Sequence, residues 1–297
     1  TATYVALRRN LSRVRGSKSF LFFDREPQAL FGEDIKTRNT ILLIDKSDGS
    51  STTKTSGLLK WSARQRPSIF RLDRAIPLES IAYSRFVPKL SSLSERDVYA
   101  QLVQTTRSVQ REIGLSRATF AEAVKKHDVH SVFVASTAYN FLNVFKSDGL
   151  PSEVEAPLSS SPIHKLTFED SHLGCAAFAV LTSRLMFWLW HVECDGFHVP
   201  SGFLKRSPLW RVPENKQMIN LLTAAGEEYW NDARQMRVRS VNAGRATFSF
   251  HTGYSTAYYS KVDRLLLKAL GVRETTEFLD HFISASVHVD GVRRDRH

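Results

Sequence analysis

The chain has 297 residues, 42% of them hydrophobic and 24% charged, which is the balance of a folded globular protein and excludes a disordered or fibrous one. Lys and Arg outnumber Asp and Glu by 41 to 30, a net charge of +11 that points to a polyanionic partner, most often nucleic acid. Two cysteines exclude a disulfide framework and imply a reducing compartment. The longest apolar run, Ala176–Val192, is interrupted by Arg184 and falls short of the ~18 uncharged residues of a membrane span. Residues 1–15 carry four arginines with no apolar stretch after them, so they do not read as a signal peptide. The missing initiator Met is expected to mark a piece of a longer protein.

The charge is segregated. Residues 1–74 hold 15 Lys or Arg against 7 Asp or Glu, residues 75–230 hold 15 against 16, and residues 231–297 hold 11 against 7. A surface that meets a phosphate backbone needs such clustering, because each phosphate contact takes a cation.

In chain order, Thr3–Val14 reads as an amphipathic helix end. Ser19–Asp24 (SFLFFD) and Asn39–Asp45 (NTILLID) read as strands, with Pro27 and Gly32 in a connection too long for a tight hairpin. The Ser/Thr/Gly-rich stretch Asp45–Thr55 is expected to be the linker at a domain boundary. Leu59–Phe70 mixes apolar and basic residues. Ser94 is expected to open a helix running to about Ile113, with Asp97 placed as in a capping box and Val98, Leu102, Val103, Thr106 and Val109 on its apolar face. His130–Ala135 and Ile163–Phe168 read as strands, separated by a loop, Asp148–Pro162, with three prolines. Leu173–Trp190 reads as one buried helix. Pro213 is placed to start a helix whose apolar spacing runs through Met218, Leu221, Leu222, Ala225 and Tyr229, with Gly226 a kink or a break. Val262–Leu270, closed by Gly271, and Thr275–Ile283 complete a helical pair.

Chemistry-bearing motifs are scarce. The sequence contains no GxxxxGK[ST], GxGxxG, GxSxG or HExxH. His172, Cys175, His191, Cys194 and His198 have zinc-compatible spacings. However, the His172/Cys175 and His191/Cys194 pairs flank an apolar helix and would stand about 28 Å apart along it, so one metal cannot use both. No metal site is expected. Trp61, Trp188, Trp190, Trp210 and Trp230 could stack on bases, although most are expected in the core. Phe31 is set apart by its position in a loop beside Lys36 and Arg38.

The residues Phe23-Asp24-Arg25-Glu26-Pro27-Gln28-Ala29-Leu30-Phe31-Gly32, followed by Lys36-Thr37-Arg38-Asn39 and an apolar strand, resemble the last two strands of the N6-adenine DNA methyltransferases of restriction-modification systems, type IIG enzymes included. Further along, Leu59-Lys60-Trp61-Ser62 leading into Arg64 and Arg66, Ala138–Leu142, the Ala179–Leu185 run with Thr182-Ser183, and Asp263, Leu266 and Leu270-Gly271-Val272 resemble that family's target-recognition region, in its order. The resemblance implies a mixed α/β protein. Residues 1–46 would be the terminal strands of a Rossmann-like methyltransferase sheet, and residues 47–297 an α+β target-recognition domain.

It also implies S-adenosylmethionine as the family's methyl donor, double-stranded DNA as substrate, adenine flipped out of the duplex, and a prokaryotic cytoplasmic setting. The (Asn/Asp)-Pro-Pro-aromatic tetrapeptide and the glycine-rich cofactor motif are not in this sequence and would lie upstream, in a catalytic domain acting in cis or in trans. No catalytic residue is therefore expected in this chain. Phe31 takes the place of the aromatic that stacks on the flipped adenine. Lys36, Arg38, Lys54, Lys60, Trp61, Arg64, Arg66, Arg237, Arg239 and Arg245 are the expected DNA contacts. A separate DNA- or RNA-binding specificity subunit without enzymatic activity is the alternative, and a metal-dependent hydrolase built on His191 and Cys194 is a weaker third.

Overall fold

Residues 5–25, 27–31, 37–47, 49, 51–61, 63–68, 75–78, 86–105, 114–126, 128–138, 141–151, 156–210, 216–250, 256–272 and 276–286 are described by a computed structural model. The chain is mixed α/β, with small sheets and nine α-helices among the described residues. It divides into two compact units: Thr1–Gln101 with His191–Asp195, and Leu102–Trp190 with Gly196–His297.

In the first unit, helix α1 (Val5–Arg13) precedes strand β1 (Ser17–Phe23), and strand β2 (Asn39–Asp45) runs antiparallel to β1 from Phe23↔Asn39 to Ser17↔Asp45. Gly16, at φ +107°, makes the entry to β1 possible, since a Cβ there would stand 2.2 Å from the Asp45 carbonyl oxygen. Strand β3 (Thr53–Leu59) lies parallel to β1 on its other side, and the two-residue β4 (Ile76–Pro77) closes the order β2-β1-β3-β4. Leu21, Phe23, Leu30 and Trp61 form the core on one face of this sheet, with Ile41, Leu59 and Ala75 packed against them. The polar stretch Asp45–Thr55 is thus a strand-to-strand connection and not a linker between domains. Its last residues already belong to β3, and the compact unit runs on to Gln101. Hydrophobic burial against β1 decided this, and the local Ser/Thr/Gly content did not reveal it.

Helix α2 (Leu93–Thr105) starts one residue before the expected position. Its capping box uses Ser92 and Glu95: Ser92 Oγ accepts from the Glu95 N–H at 3.1 Å and Glu95 Oε2 accepts from the Ser91 N–H at 2.8 Å.

The second unit is built on a second sheet. Strands β5 (Gly114–Thr119), β6 (Ser131–Ala135), β7 (Val144–Phe145) and β8 (Pro162–Thr167) pair antiparallel in the order β5-β8-β6-β7, with helix α3 (Phe120–Lys126) following β5. Next comes helix α4 (Ser171–Thr182), N-capped by Asp170, whose carboxylate accepts from the Leu173 N–H at 2.7 Å.

The expected single buried helix is two, because the chain breaks at Ser183 into α5 (Arg184–Glu193), bent 61° from α4. The break has a local cause. Ser183 adopts extended backbone (ψ 152°), its hydroxyl donates to the Val180 carbonyl at 2.7 Å, and the same oxygen accepts from the Met186 N–H at 3.0 Å. One serine therefore caps both helix ends. Arg184 is held by Asp263 (Nε to Oδ2, 2.7 Å) and by Asp280, and Asp263 also accepts from the Leu185 N–H at 3.2 Å. No single helix among the described residues is long and apolar enough to cross a membrane, and the bent α4–α5 pair is buried inside the protein.

Helix α6 (Ser201–Arg206) is short, and α7 (Lys216–Gln235) runs unbroken through Gly226. That glycine neither kinks nor splits the helix; it lets α7 approach the backbone of α4. A two-stranded ribbon, β9 (Val238–Asn242) and β10 (Arg245–Ser249), follows α7. Helices α8 (Thr256–Ala269) and α9 (Glu277–Ser286) close the unit, with Asp263 and Asp280 directed at Arg184. Pro213 and residues 106–113 lie outside the described residues.

Candidate nucleic-acid interface

Three of the expected DNA contacts converge on one element. Arg239 lies in β9, Arg245 opens β10, and Arg237 immediately precedes β9. The ribbon register pairs Asn242 with Arg245, Val241 with Ala246, Ser240 with Thr247, Arg239 with Phe248 and Val238 with Ser249. The connecting residues Ala243 and Gly244 have φ of 48° and 72°. Two positive-φ residues in a two-residue loop make a type I′ turn, whose twist matches that of the strands.

Every residue of β9 is exposed, with Val238 and Val241 at 43% and 53%. β10 is anchored: Ala246 and Phe248 are buried, the Ala246 N–H donates to the Pro157 carbonyl at 2.9 Å, and the Ala246 carbonyl accepts from the Ser159 N–H at 2.8 Å. The inner strand is thus bonded on both edges and β9 stands as the outer one. Arg237 is tied back to α7 by a 2.8 Å hydrogen bond from Nη1 to the Arg234 carbonyl. Sequence reading found the three arginines but not the hairpin. Its signal was a short β-branched run, Val238–Val241, then Asn-Ala-Gly, then Arg-Ala-Thr-Phe.

The remaining candidates lie in the first unit. Phe31 is 59% exposed in the connection after β1, open to a stacking partner and not packed under the sheet. Lys36 falls outside the described residues. Lys54 is exposed on β3, and Arg64 is exposed in the 3₁₀ turn Ala63–Ser68; Arg66 shares that turn, but its side chain lies outside the described residues.

Trp61 corrects the expectation. It is 2% exposed in the core with Leu21, Phe23 and Leu30, where no base can reach its ring. Arg38 is also committed elsewhere: Nε donates to Asp24 Oδ1 at 3.0 Å and Nη1 to the Asp195 carbonyl at 2.6 Å. Arg38 and Lys89 together cap the C-terminal end of α5, Lys89 Nζ donating to the carbonyls of Val192 (3.1 Å) and Cys194 (2.6 Å). Lys89 also sits 5.6 Å from the centre of the Phe22 ring.

Burial pushes the Lys89 ammonium down to about 8, against the pull of Cys194 and Asp195. His191 is held well below the ordinary imidazole value, first by burial and then by the charges of Arg38, Lys89 and half-buried Lys60. The cluster around His191 is a helix terminus held by cations. Among the described residues no three His, Cys, Asp or Glu side chains come together to hold a metal. His191 and Cys194 group with the first unit, and His172, Cys175 and His198 with the second.

Comparison with known proteins finds no family model, curated protein or solved structure that matches this chain.

Proposed function

We propose that this chain binds double-stranded DNA through the β9–β10 ribbon, as the sequence-recognition portion of a site-specific adenine-N6 DNA methyltransferase. The observation that carries the DNA reading is the ribbon: Arg239 and Arg245 on its strands and Arg237 just before it are all exposed, in a chain of net charge +11. A ribbon of that kind fits the major groove and meets phosphates with its cations.

The methyltransferase reading rests on the sequence resemblance, with two supporting features. If β1 and β2 are the last strands of a larger sheet, one edge must be open to the rest of it. β1 is flanked by β2 and β3, and among the described residues no strand pairs with the outer edge of β2, whose Leu43 and Ile44 side chains are 41% and 36% exposed. Phe31, exposed beside this sheet, is the residue we assign to the flipped adenine.

Asp24, the buried carboxylate at the end of β1, accepts through Oδ1 from Arg38 Nε at 3.0 Å and from the Arg25 N–H at 2.8 Å. The cofactor and the catalytic tetrapeptide are assigned to an upstream domain in cis or in trans, and no methyl-transfer step is derived from this chain.

Equilibrium binding to duplex DNA across a salt titration tests the reading. Affinity should fall steeply with salt, and the Arg237→Ala/Arg239→Ala/Arg245→Ala variant should show a slope shallower by about 1.8 to 2.7, roughly 0.9 for each of the two or three cations that neutralise a phosphate. Absence of binding at low salt, or an unchanged slope in the triple variant, overturns it. A Phe31→Ala variant should quench less of the fluorescence change of a 2-aminopurine placed at the target adenine. Methyl transfer by this chain alone would refute its role as the recognition portion. A non-enzymatic specificity subunit would bind DNA or RNA through the same ribbon, and an upstream reading frame lacking a Pro-Pro-aromatic motif would favour it.

A further inference from the structure

Residues directly opposite one another in an antiparallel pair share a face. The register therefore sorts the ribbon into two faces. Ser240, Asn242, Arg245 and Thr247 lie on one, with Val238 and Ser249 at its base. Arg239, Val241, Ala246 and Phe248 lie on the other. Ala246 is fully buried and Phe248 is 3% exposed, so the second face is the one turned inward along β10. The first face turns to solvent and is almost wholly polar.

Asn242 and Arg245 are cross-strand partners at the tip of that outward face, and both are exposed. Among the described residues neither makes a side-chain hydrogen bond or ion pair. They flank a turn of small residues, and a Cβ added at Gly244 would meet nothing within 4 Å. No bulky side chain therefore stands between this pair and a surface approached tip first.

Arg237 and Arg239 are arranged differently. Arg239 lies on the outer strand with the opposite parity from Asn242, and Arg237, just before that strand, is anchored on the α7 carbonyl of Arg234.

The chemistry of the outward pair matches base edges. An Arg fork is bidentate to guanine O6 and N7, and an Asn carboxamide is bidentate to adenine N6 and N7, both in the major groove. The Cα atoms of a hydrogen-bonded cross-strand pair are about 5.5 Å apart. Base pairs are stacked about 3.4 Å apart, so the two side chains reach base pairs that are adjacent or one removed. Taking the ribbon as the DNA-binding element, we infer that Asn242 and Arg245 read an adenine and a guanine within about two base pairs in the major groove, while Arg237 and Arg239 hold phosphates.

Selection from a random-sequence duplex library tests this, with the selected motif then measured against a scrambled duplex. The parent chain should enrich a motif holding A and G within two base pairs. Asn242→Ala should lose the preference at A, and Arg245→Ala at G, each lowering the ratio of specific to scrambled affinity by about 10- to 100-fold. Their thermal transitions should match the parent, because both side chains are exposed. Arg237→Ala/Arg239→Ala should keep the motif, bind all duplexes more weakly, and show a salt slope shallower by about 1.8.

The inference is overturned if the parent binds duplex DNA but enriches no motif, or if Asn242→Ala and Arg245→Ala retain the parental one. Either result leaves the DNA-binding reading standing. Failure of the parent to bind duplex DNA at low salt, or tighter binding to RNA, overturns both.

Discussion

At Gly226 helix α7 closely approaches the backbone of α4, and replacing it with alanine tests the packing of the second unit. A Cβ at this position would lie 2.3 Å from the Cys175 carbonyl oxygen, 3.1 Å from its carbon and 3.5 Å from Ala179 Cβ. The first distance is about 1 Å shorter than van der Waals separation, and the obstacle is the backbone of α4, which cannot rotate away. Relief requires α4 and α7 to separate by roughly that much, and a gap of 0.5–1 Å already forfeits about a quarter to a half of the dispersion attraction across it. Overpacking of this kind costs typically 1–3 kcal/mol and more when backbone must move, while the better helix propensity of alanine returns only about 1 kcal/mol. With the cost at the upper end of that range, because the obstacle is backbone, the net expectation is a destabilisation of about 2 kcal/mol. Urea denaturation followed by far-UV circular dichroism should show a midpoint lower by about 1 M at an m-value near 2 kcal/mol/M. Ala224→Gly, at an exposed position on the same helix, isolates the propensity effect and should cost about 1 kcal/mol. A Gly226→Ala midpoint equal to or above the parent's would refute the close approach of the two helices.

Three further perturbations have stated outcomes. His191 and His164 are both held below the ordinary histidine value, chiefly by burial, so the unfolded chain takes up their protons first. Stability is therefore full above about pH 6.5 and falls as the pH drops, by up to about 1.4 kcal/mol per pH unit for each fully buried site; denaturation between pH 7.5 and 5 should show a shallower acid loss in His191→Gln, and an unchanged loss would contradict the buried neutral imidazole. Asp263→Ala leaves the buried Arg184 guanidinium without its main partner and should cost about 3–5 kcal/mol, whereas Asp280→Ala removes a 59% exposed carboxylate and should cost under about 1 kcal/mol; equal losses in thermal denaturation would refute the assignment of the clamp to Asp263. Ala243 is a non-glycine residue at positive φ, so Ala243→Gly should raise stability by up to about 1 kcal/mol with the DNA selectivity of the ribbon unchanged, and a lower melting temperature would argue against the type I′ turn.

Local pattern was enough to locate most elements. The apolar, β-branched run Asn39–Asp45 forms β2 over those same residues, and the strands read at Ser19–Asp24, His130–Ala135 and Ile163–Phe168 form within two residues of their expected ends. Of the 3.6-residue spacing read through Met218, Leu221, Leu222, Ala225 and Tyr229, all but Leu221 became the buried face of α7, and Leu221 is exposed. These signals are local because side-chain periodicity records which face an element buries.

What depended on distant residues was decided by tertiary structure alone. Trp61 resembled a stacking residue beside cations, and only the presence of Leu21, Phe23 and Leu30 around it made it core. Arg38 resembled a phosphate-binding residue until Asp24 and the Asp195 carbonyl took its donors. The Asp45–Thr55 stretch resembled a linker because its composition says nothing of β1, against which Thr53–Leu59 pairs. The helix break at Ser183 is held by Asp263, which lies far along the chain on α8. The charge of the C-terminal region was legible as a count of arginines. Its division between an outward face and a strand margin exists only in the cross-strand register of β9 and β10, where pairing partners fix which side chains share a face.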